Sequence, residues 1–271
     1  MKQNMIQIRG QAMPEEAQPK RAKRSDAGVI RQTGRDAELM EWMAQMYGIP
    51  MDLLQHHLGV GQVTTYQLVQ RWLKANWAKR GRVDAGPAWV WPMKATANQA
   101  LGWDAREWTP KPTISAHTRA VAAVRLHRLG FDLTRWKSER MLWHEHGWRL
   151  KDEEYPHMPD GVETLESGKK ALIEVELTAK TRTRYISKAN EANNTIGLLS
   201  DVTDRARDLE CSVIAYWCAP KVLPVIKEVT DEYQRRREAR LMKRGQPELL
   251  AHEPSWHVKS LEEVPGWQSV R

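Results

Sequence analysis

The stretch that decides the fold is HMPDGVETLESGKKALIEVELTAK, residues 157–180. It contains two short runs rich in apolar residues, 161–165 and 171–177, joined by the polar segment ESGKK at 166–170. A polar connection of this length and composition between two such runs is typical of a β-hairpin. The stretch therefore predicts two antiparallel strands.

Three acidic residues are placed at defined points of this hairpin. Asp160 immediately precedes the first strand, and Glu174 and Glu176 lie two residues apart on the second. Because side chains alternate between the faces of a strand, Glu174 and Glu176 are expected on the same face. Neighbouring carboxylates repel one another unless a cation lies between them, and oxygen ligands suit Mg²⁺ or Mn²⁺. The three acids therefore predict a metal site, and an ordinary hairpin with solvent-facing acids is the alternative interpretation.

This spacing resembles the PD-(D/E)xK signature of the restriction-endonuclease-like fold, because PD stands at 159–160 and EVE follows at 174–176 after 13 intervening residues. The resemblance implies a metal-dependent nuclease site. The signature ends in a lysine that helps to activate the attacking water, and this chain has Glu176 in its place. Lys180 and Lys188 are the candidates to supply that cation. The implied catalytic set is Asp160, Glu174, Glu176, Lys180 and Lys188.

Length and charge limit the class of protein. The 271 residues, of which 41% are hydrophobic, suffice for two modest domains with a core each. The chain has 42 basic and 34 acidic residues, which gives a net charge of +8, and its pI is near 9.5. An excess of this size favours a polyanionic partner, most commonly nucleic acid.

Cysteine content and hydropathy indicate the compartment. The two cysteines, Cys211 and Cys218, are too few for a disulfide framework, and their spacing does not match a zinc motif. No apolar run reaches the roughly 18 residues of a membrane helix, and the N-terminus lacks the apolar segment of a signal peptide. We therefore expect a soluble, cytoplasmic protein without a membrane partner.

The N-terminal third of the chain predicts a winged helix-turn-helix. Apolar residues at helical spacing predict helices over 34–46, 50–58 and 63–77, with a tight Gly-Val-Gly turn before the third. A basic segment followed by WVW, together residues 79–91, predicts a two-stranded ribbon, and 94–103 predicts a closing helix. In this layout the third helix enters the major groove and the cations of the ribbon meet phosphates. A protein-docking module is the alternative interpretation.

The third helix supplies the predicted DNA-reading residues. Helical spacing directs Tyr66 and Trp72 toward the core. The opposite face is predicted to present Thr64, Thr65, Gln67, Gln70, Arg71 and Lys74 to DNA, and the ribbon is predicted to contribute Lys79, Arg80 and Arg82. The expected partner is double-stranded DNA.

The second half of the chain predicts an α/β domain. Its order of elements, α-β-β-β-α-β with additions, is that of the restriction-endonuclease-like core, and a helix between two strands favours their parallel pairing. The first helix is expected to begin with Ser115 as its N-cap. Helices are predicted at 115–129, 181–209 and 222–235, and strands at 131–139, 161–165, 171–177, 211–217 and 256–258.

Two further groups have alternative interpretations. Glu139, expected on the strand before the hairpin, is predicted to pair at the surface with one of its basic neighbours, and the alternative is a fourth acid of the cluster. The basic neighbours are Arg135, Lys137 and Arg140. The cations within 235–244 either hold phosphates or form the solvated end of a helix, where cations also suit the helix dipole.

The domain boundaries follow from these elements. Residues 1–33 contain two prolines, the basic run KRAKR and no sustained apolar period, so we expect a disordered basic arm. The winged helix-turn-helix domain is predicted at 34–103, and the segment DAREWTPKPT at 104–113 is the predicted linker. The restriction-endonuclease-like domain is predicted at 114–271 and includes a basic C-terminal extension. The fold class is therefore α/β, or α+β for the whole chain.

Over residues 34–235 the chain resembles the replication-relaxation family, whose members are encoded on plasmids and other mobile elements. The resemblance is carried by GRDAELMEWMAQMYGIPMDLLQHHL, the basic ribbon, KATANQALGW, the helix around His117, WKSER, and MPD followed by IEVELTAKTRTRYISK. It implies a DNA-binding protein that acts in plasmid replication, copy control or transfer, with replication or transfer proteins as further partners.

Three functions follow as alternatives. The first is a DNA-binding protein of a mobile element whose nuclease-like domain is degenerate and needs no cofactor. The second is an endonuclease that uses Mg²⁺ or Mn²⁺, and the third is a protein-interaction scaffold. Glu176 favours the first, because a carboxylate there adds negative charge where the reacting phosphate requires a cation. The sequence leaves open both a monomer and a homodimer.

Overall fold

The computed structural model describes residues 30–83, 86–146, 157–186 and 197–268. Residues 32–271 belong to one compact unit. Almost all of the predicted basic arm, and Lys188, lie outside the described residues. The predicted boundary at 104–113 falls within the compact unit, so the division into two domains stays a prediction.

The N-terminal part combines four helices with a small antiparallel sheet. The helices are α1 (Gly34–Gln45), α2 (Met51–Leu58), α3 (Gln62–Lys74) and α4 (Lys94–Leu101), and the strands are β1 (Ile49–Pro50), β2 (Ala78–Gly81) and β3 (Trp89–Pro92). The sheet has the order β1-β3-β2. The predicted helices and the two-stranded ribbon are confirmed, and β1 adds a third strand. Helix α3 ends before the predicted Trp77 because Asn76 adopts a left-handed conformation with φ of 56°.

Helix α1 begins at a capping box that also links it to α3. Thr33 accepts a hydrogen bond from the amide of Asp36, and the Asp36 carboxylate accepts one from the Thr33 amide. The same carboxylate accepts a hydrogen bond from Trp72 Nε1 at 2.7 Å and pairs with Arg71. Asp36 and Trp72 are fully buried, so one carboxylate connects the first helix to the third.

The C-terminal part is built on a five-stranded sheet of order β4-β5-β6-β7-β8. Its strands are β4 (Trp136–Ser138), β5 (Gly161–Thr164), β6 (Lys170–Glu176), β7 (Cys211–Cys218) and β8 (Ser255–Ser260). The helices are α5 (Pro112–Leu129), α6 (Glu139–His146), α7 (Arg182–Tyr185), α8 (Leu198–Asp208) and α9 (Leu223–Lys243), with short 3₁₀ segments at Pro247–His252 and Leu261–Glu263. The hairpin β5–β6 is antiparallel and β6–β7 is parallel, as predicted.

The sheet is covered on both faces, and strand β6 alternates between them. Ile173 belongs to a hydrophobic cluster that also contains Trp42 of α1 and Val124 of α5. Leu172 belongs to the opposite cluster, together with Val202 of α8. The first cluster therefore extends from the N-terminal helices to the sheet.

Three largely buried arginines of α5 and α6 reinforce the contact between these two parts. Arg119 donates to both carboxylate oxygens of Asp52 on α2 and to the carbonyl of Gly266. Arg125 donates to the Gln45 side chain at 2.8 Å, and Arg140 donates to the backbone carbonyl of Ala44 at 2.8 Å. Buried guanidinium groups need such acceptors, so these contacts hold the N-terminal helices against the sheet.

Several predicted boundaries were wrong. Ser115 is not an N-cap, because α5 begins three residues earlier with Pro112 at its first position and Lys111 as its cap. Glu139 does not lie on a strand but begins α6. The strand before it starts only at Trp136, because Asp132 accepts hydrogen bonds from Thr134 and forms a turn. In the described ranges, no helix is long and apolar enough to cross a membrane.

Candidate functional site

The acidic cluster forms where β5 begins and β6 ends. Asp160 precedes β5, and its Oδ2 accepts a hydrogen bond from the Val175 amide at 2.7 Å. Glu174 and Glu176 flank Val175 on β6 and are half-buried, whereas Val175 packs into the core on the other face. The prediction that Glu174 and Glu176 share a face is confirmed, and the Asp160 hydrogen bond brings the third acid beside the same strand.

Each of these acids is paired with a basic side chain. Asp160 Oδ1 lies 3.4 Å from His117 Nε2, and Glu174 Oε1 lies 2.6 Å from His157 Nε2. Glu176 forms an ion pair with Lys180, four residues further along the chain. The charge of the cluster is therefore balanced largely by groups of the chain itself.

The ionisation of the two histidines follows from these pairs. The His117 side chain is 45% exposed, and its partial desolvation would lower its pKa, but the charge of Asp160 and the hydrogen bonds to Asp160 and Val175 raise that pKa to about 9. Burial likewise opposes protonation of His157, and Glu174 nevertheless raises its pKa above the usual value. Burial raises the pKa of Glu174 to about 6, against the stabilising charge of His157. At neutral pH we therefore expect His117 to carry a positive charge beside Asp160.

The predicted surface pairing of Glu139 was wrong. Arg135 and Lys137 pair with other acids, Glu166 and Glu145, and Arg140 donates to backbone carbonyls. Glu139 instead accepts a hydrogen bond from Trp143 Nε1 at 3.3 Å. Burial raises its pKa, and the charge of Asp160 raises it further. The charge of Asp160 therefore acts on Glu139, and its role as a fourth acid of the cluster stays a prediction.

Lys180 is the predicted lysine that reaches the cluster. Its backbone amide donates to the Tyr185 hydroxyl at 3.1 Å, and that hydroxyl lies 3.4 Å from Glu176 Oε2. Tyr185 is fully buried, so it fixes the start of α7 against the end of β6. Lys180 is thereby held at Glu176, the position where the PD-(D/E)xK signature has lysine. The role of Lys188 stays a prediction, since it lies outside the described residues.

A metal ion at Asp160, Glu174 and Glu176 also stays a prediction. The carboxylate oxygens are ligands that suit Mg²⁺, and the buried hydroxyl of Tyr216, beside Glu174 in the sheet register, has no hydrogen-bond partner among the residues that the structure describes. As the acids are now paired, however, no group of three or more His, Cys, Asp or Glu side chains in the described structure is arranged to hold a metal.

The sequence did not assign three of these groups to the acidic cluster. His157 stands three residues before Asp160, and its nearness in the chain was the available signal. His117 lies on α5 and Tyr216 on β7, and neither is near Asp160 in the sequence. Only the packing of α5 and β7 against the hairpin brings these two side chains to the acids.

The exposed face of α3 differs from the predicted one. Thr64, Gln67 and Lys74 are exposed as expected. Thr65 was predicted to be exposed but is buried, and its hydroxyl donates to the Gly61 carbonyl at 3.2 Å. Tyr66 was predicted to be buried but is 38% exposed. The core face follows Thr65, Val69 and Trp72, at helical spacing, which turns Tyr66 outward.

The predicted DNA-binding cations fall into two groups. Arg71 pairs with Asp36 and Lys79 pairs with Glu107. The Arg80 guanidinium lies 5.1 Å from the centre of the Tyr66 ring, which joins the ribbon to α3. For the residues that the structure describes, no ion pair involves Lys74, Arg80 or Arg82, and Gln70 is half-buried on the same helix.

Comparison with known proteins gave no match, whether with family models, curated proteins or solved structures.

Proposed function

We propose that this protein binds double-stranded DNA through a winged helix formed by residues 34–103. The observation that carries the proposal is the surface shared by α3 and β2. There Lys74 and Arg80 have no acidic partner among the described residues, and Arg80 stacks on exposed Tyr66. Arg82 continues the same ribbon and is exposed. Cations without acidic partners can exchange their hydration for phosphate contacts.

The shape of this surface suits a major groove. Helix α3 has 13 residues, a length of about 20 Å at 1.5 Å per residue. Its exposed polar side chains, Thr64 and Gln67, are of the type that reads base edges, and exposed Val63 is able to contact a thymine methyl group. The cations of the ribbon would lie beside the groove and meet phosphates.

We further propose that the sheet around Asp160 is a restriction-endonuclease-like domain with a degenerate site. The supporting observation is Glu176, whose carboxylate occupies the lysine position and takes up Lys180 in an ion pair. A cation neutralised in this way offers less stabilisation to a reacting phosphate. The resemblance to the replication-relaxation family supports a role in plasmid replication, copy control or transfer.

Removing Lys74, Arg80 and Arg82 together, as a triple alanine variant, is expected to weaken duplex binding. Each lost phosphate contact reduces the slope of log K against log salt by about 0.9, so the slope should flatten by about 2–3. Fluorescence anisotropy with labelled duplex over a salt series measures both quantities.

A matched control removes three cations that are already paired. Lys94, Lys137 and Lys170 form ion pairs with Asp104, Glu145 and Glu210, so their alanine variants change the net charge equally. This control should keep the wild-type salt slope. Equal binding by the two triple variants would show that the α3 surface does not bind DNA. It would favour the protein-interaction scaffold.

A metal-dependent endonuclease is the second candidate, because Lys180 does lie at the acidic cluster. In that case Asp160 and Glu174 would hold Mg²⁺, which supplies positive charge at the phosphate, and Lys180 would leave Glu176 to orient the attacking water. Supercoiled plasmid incubated with Mg²⁺ or Mn²⁺ separates the two candidates.

For an enzyme, Asp160→Ala, Glu174→Ala and Lys180→Ala should each abolish nicking, whereas Lys169→Ala, a change of an exposed lysine on the hairpin turn, should not. Binding without cleavage by the wild-type protein is the result expected for a degenerate site. Cleavage that survives all three substitutions would place the chemistry elsewhere.

A further inference from the structure

The C-terminal half of α9 carries a row of cations on one side. Arg236, Arg240, Lys243 and Arg244 are spaced by four, three and one residues, which places them within about 100° of one another around the helix axis. All four are exposed. They extend over about 12 Å along the axis. We call these four residues the α9 stripe.

The stripe is not neutralised by acids. Outside the undescribed segments, no ion pair involves Arg240, Lys243 or Arg244. Arg236 shares Glu232 with Arg182 of α7, so two guanidinium groups bind one carboxylate and leave an excess positive charge. Solvated helix faces commonly alternate acids and bases at a spacing of four residues. The stripe lacks this alternation beyond Glu232.

Helix α7 connects the stripe to the acidic cluster. Tyr185 holds α7 against Glu176, while Arg182 on the same short helix reaches Glu232 of α9. Arg182 and Arg184 are both exposed. Arg182 on α7 and Arg236, the first residue of the stripe, therefore meet at Glu232.

We propose that the α9 stripe binds the phosphate backbone of nucleic acid as a second contact region, in addition to α3 and the ribbon. The proposal rests on the proposed DNA-binding function. It adds a path for the nucleic acid across the part of the protein that contains the five-stranded sheet. Unpaired cations in a row bind a polyanion without reading its bases, so this contact is independent of sequence. Duplex and single strand offer the same phosphates.

The test is a triple variant of the full chain, Arg240→Ala, Lys243→Ala and Arg244→Ala. Its control is Lys221→Ala, Lys227→Ala and Arg235→Ala, which removes the same charge from exposed positions around α9 that lie outside the stripe. Labelled duplex and labelled single strand are titrated over a salt series, and circular dichroism melting verifies that each variant is folded. The stripe variant should flatten the salt slope by about 2–3, whereas its control should keep the wild-type slope.

The two DNA-binding proposals fail in distinguishable ways. Equal slopes for the stripe variant and its control on both probes would overturn the stripe, and the effect of the α3 variant would be unaffected. A loss confined to single strand would assign the stripe to that strand type, and a loss on both probes to the backbone in general. If the stripe variant loses affinity while the α3 variant does not, the stripe binds nucleic acid and the proposal that the α3 surface binds DNA is wrong.

Discussion

Gly161→Ala is expected to destabilise the protein by about 3 kcal/mol, the upper end of the range for overpacking a core. A Cβ at this position would overlap the indole of Trp136, at 2.5 Å from Cε2 and 2.9 Å from Nε1. Trp136 is 2% exposed and packs in the main hydrophobic cluster, so it has no open space into which to move. Thermal or denaturant unfolding followed by circular dichroism measures the loss.

The same substitution should disturb the acidic cluster. Gly161 pairs with Ser138 of β4 and Ile173 of β6 and directly follows Asp160. Gly34→Ala is the matched control, because nothing lies within 4 Å of the added carbon at the start of α1. Adding Trp136→Leu to Gly161→Ala should recover part of the loss, since a smaller side chain leaves room. Equal stability of Gly161→Ala and Gly34→Ala would contradict the packing described for the hairpin.

Asp36→Ala is expected to cost about 2–4 kcal/mol, because a buried donor left without its acceptor costs about 1–3 kcal/mol and a lost helix cap about 1 kcal/mol. Trp72 Nε1 would lose its acceptor and Arg71 its counter-ion, and α1 would lose half of its capping box. Asp36→Asn should lose less, because the amide oxygen can still accept from Trp72. Asp104→Ala is the control, since Asp104 pairs with Lys94 at the surface and its side chain is 77% exposed, so little change is expected.

The contribution of Asp36 should also depend on pH. Burial alone would raise the pKa of its carboxyl group, but hydrogen bonds from Trp72, Thr33 and Arg71 hold that pKa below its usual value. A lowered pKa in the folded state means that the stabilisation is complete above the unfolded value and is lost as the pH falls through the folded value. The difference in unfolding free energy between wild type and Asp36→Ala should therefore shrink below about pH 4. A difference that stays constant down to the acid transition would refute the role of the carboxylate charge.

Most elements of the fold were predictable because their signals are local. The apolar run CSVIAYW predicts a buried strand, and it forms β7 at the centre of the sheet's parallel part. The alternation in the hairpin likewise predicted β5 and β6 and the shared face of Glu174 and Glu176. Errors arose where two nearby positions can each begin a helix. Ser115 lies inside α5 because Pro112 is an equally good first residue.

The acidic cluster contains contacts that the local sequence determines and contacts that it does not. The spacing of Asp160, Glu174 and Glu176 is a property of one hairpin, so the sequence by itself determined that these acids come together. His117 and Tyr216 are distant from these acids in the sequence. They reach the cluster only through the packing of α5 and β7 on the hairpin. The free energy of packing large apolar surfaces selects that arrangement, and side-chain pairing follows from it.

The proposed DNA-binding surface likewise has features that the sequence determined and features that only the tertiary structure decided. Composition determined that the protein has a basic excess, and helical periodicity determined that α3 has one polar face. Tertiary structure decided which cations remain available: Asp36 and Glu107 take up Arg71 and Lys79, whereas no acid among the described residues pairs with Lys74, Arg80 or Arg82. The position of an ion pair depends on which helices and strands pack together, and a linear pattern of charges does not contain that information.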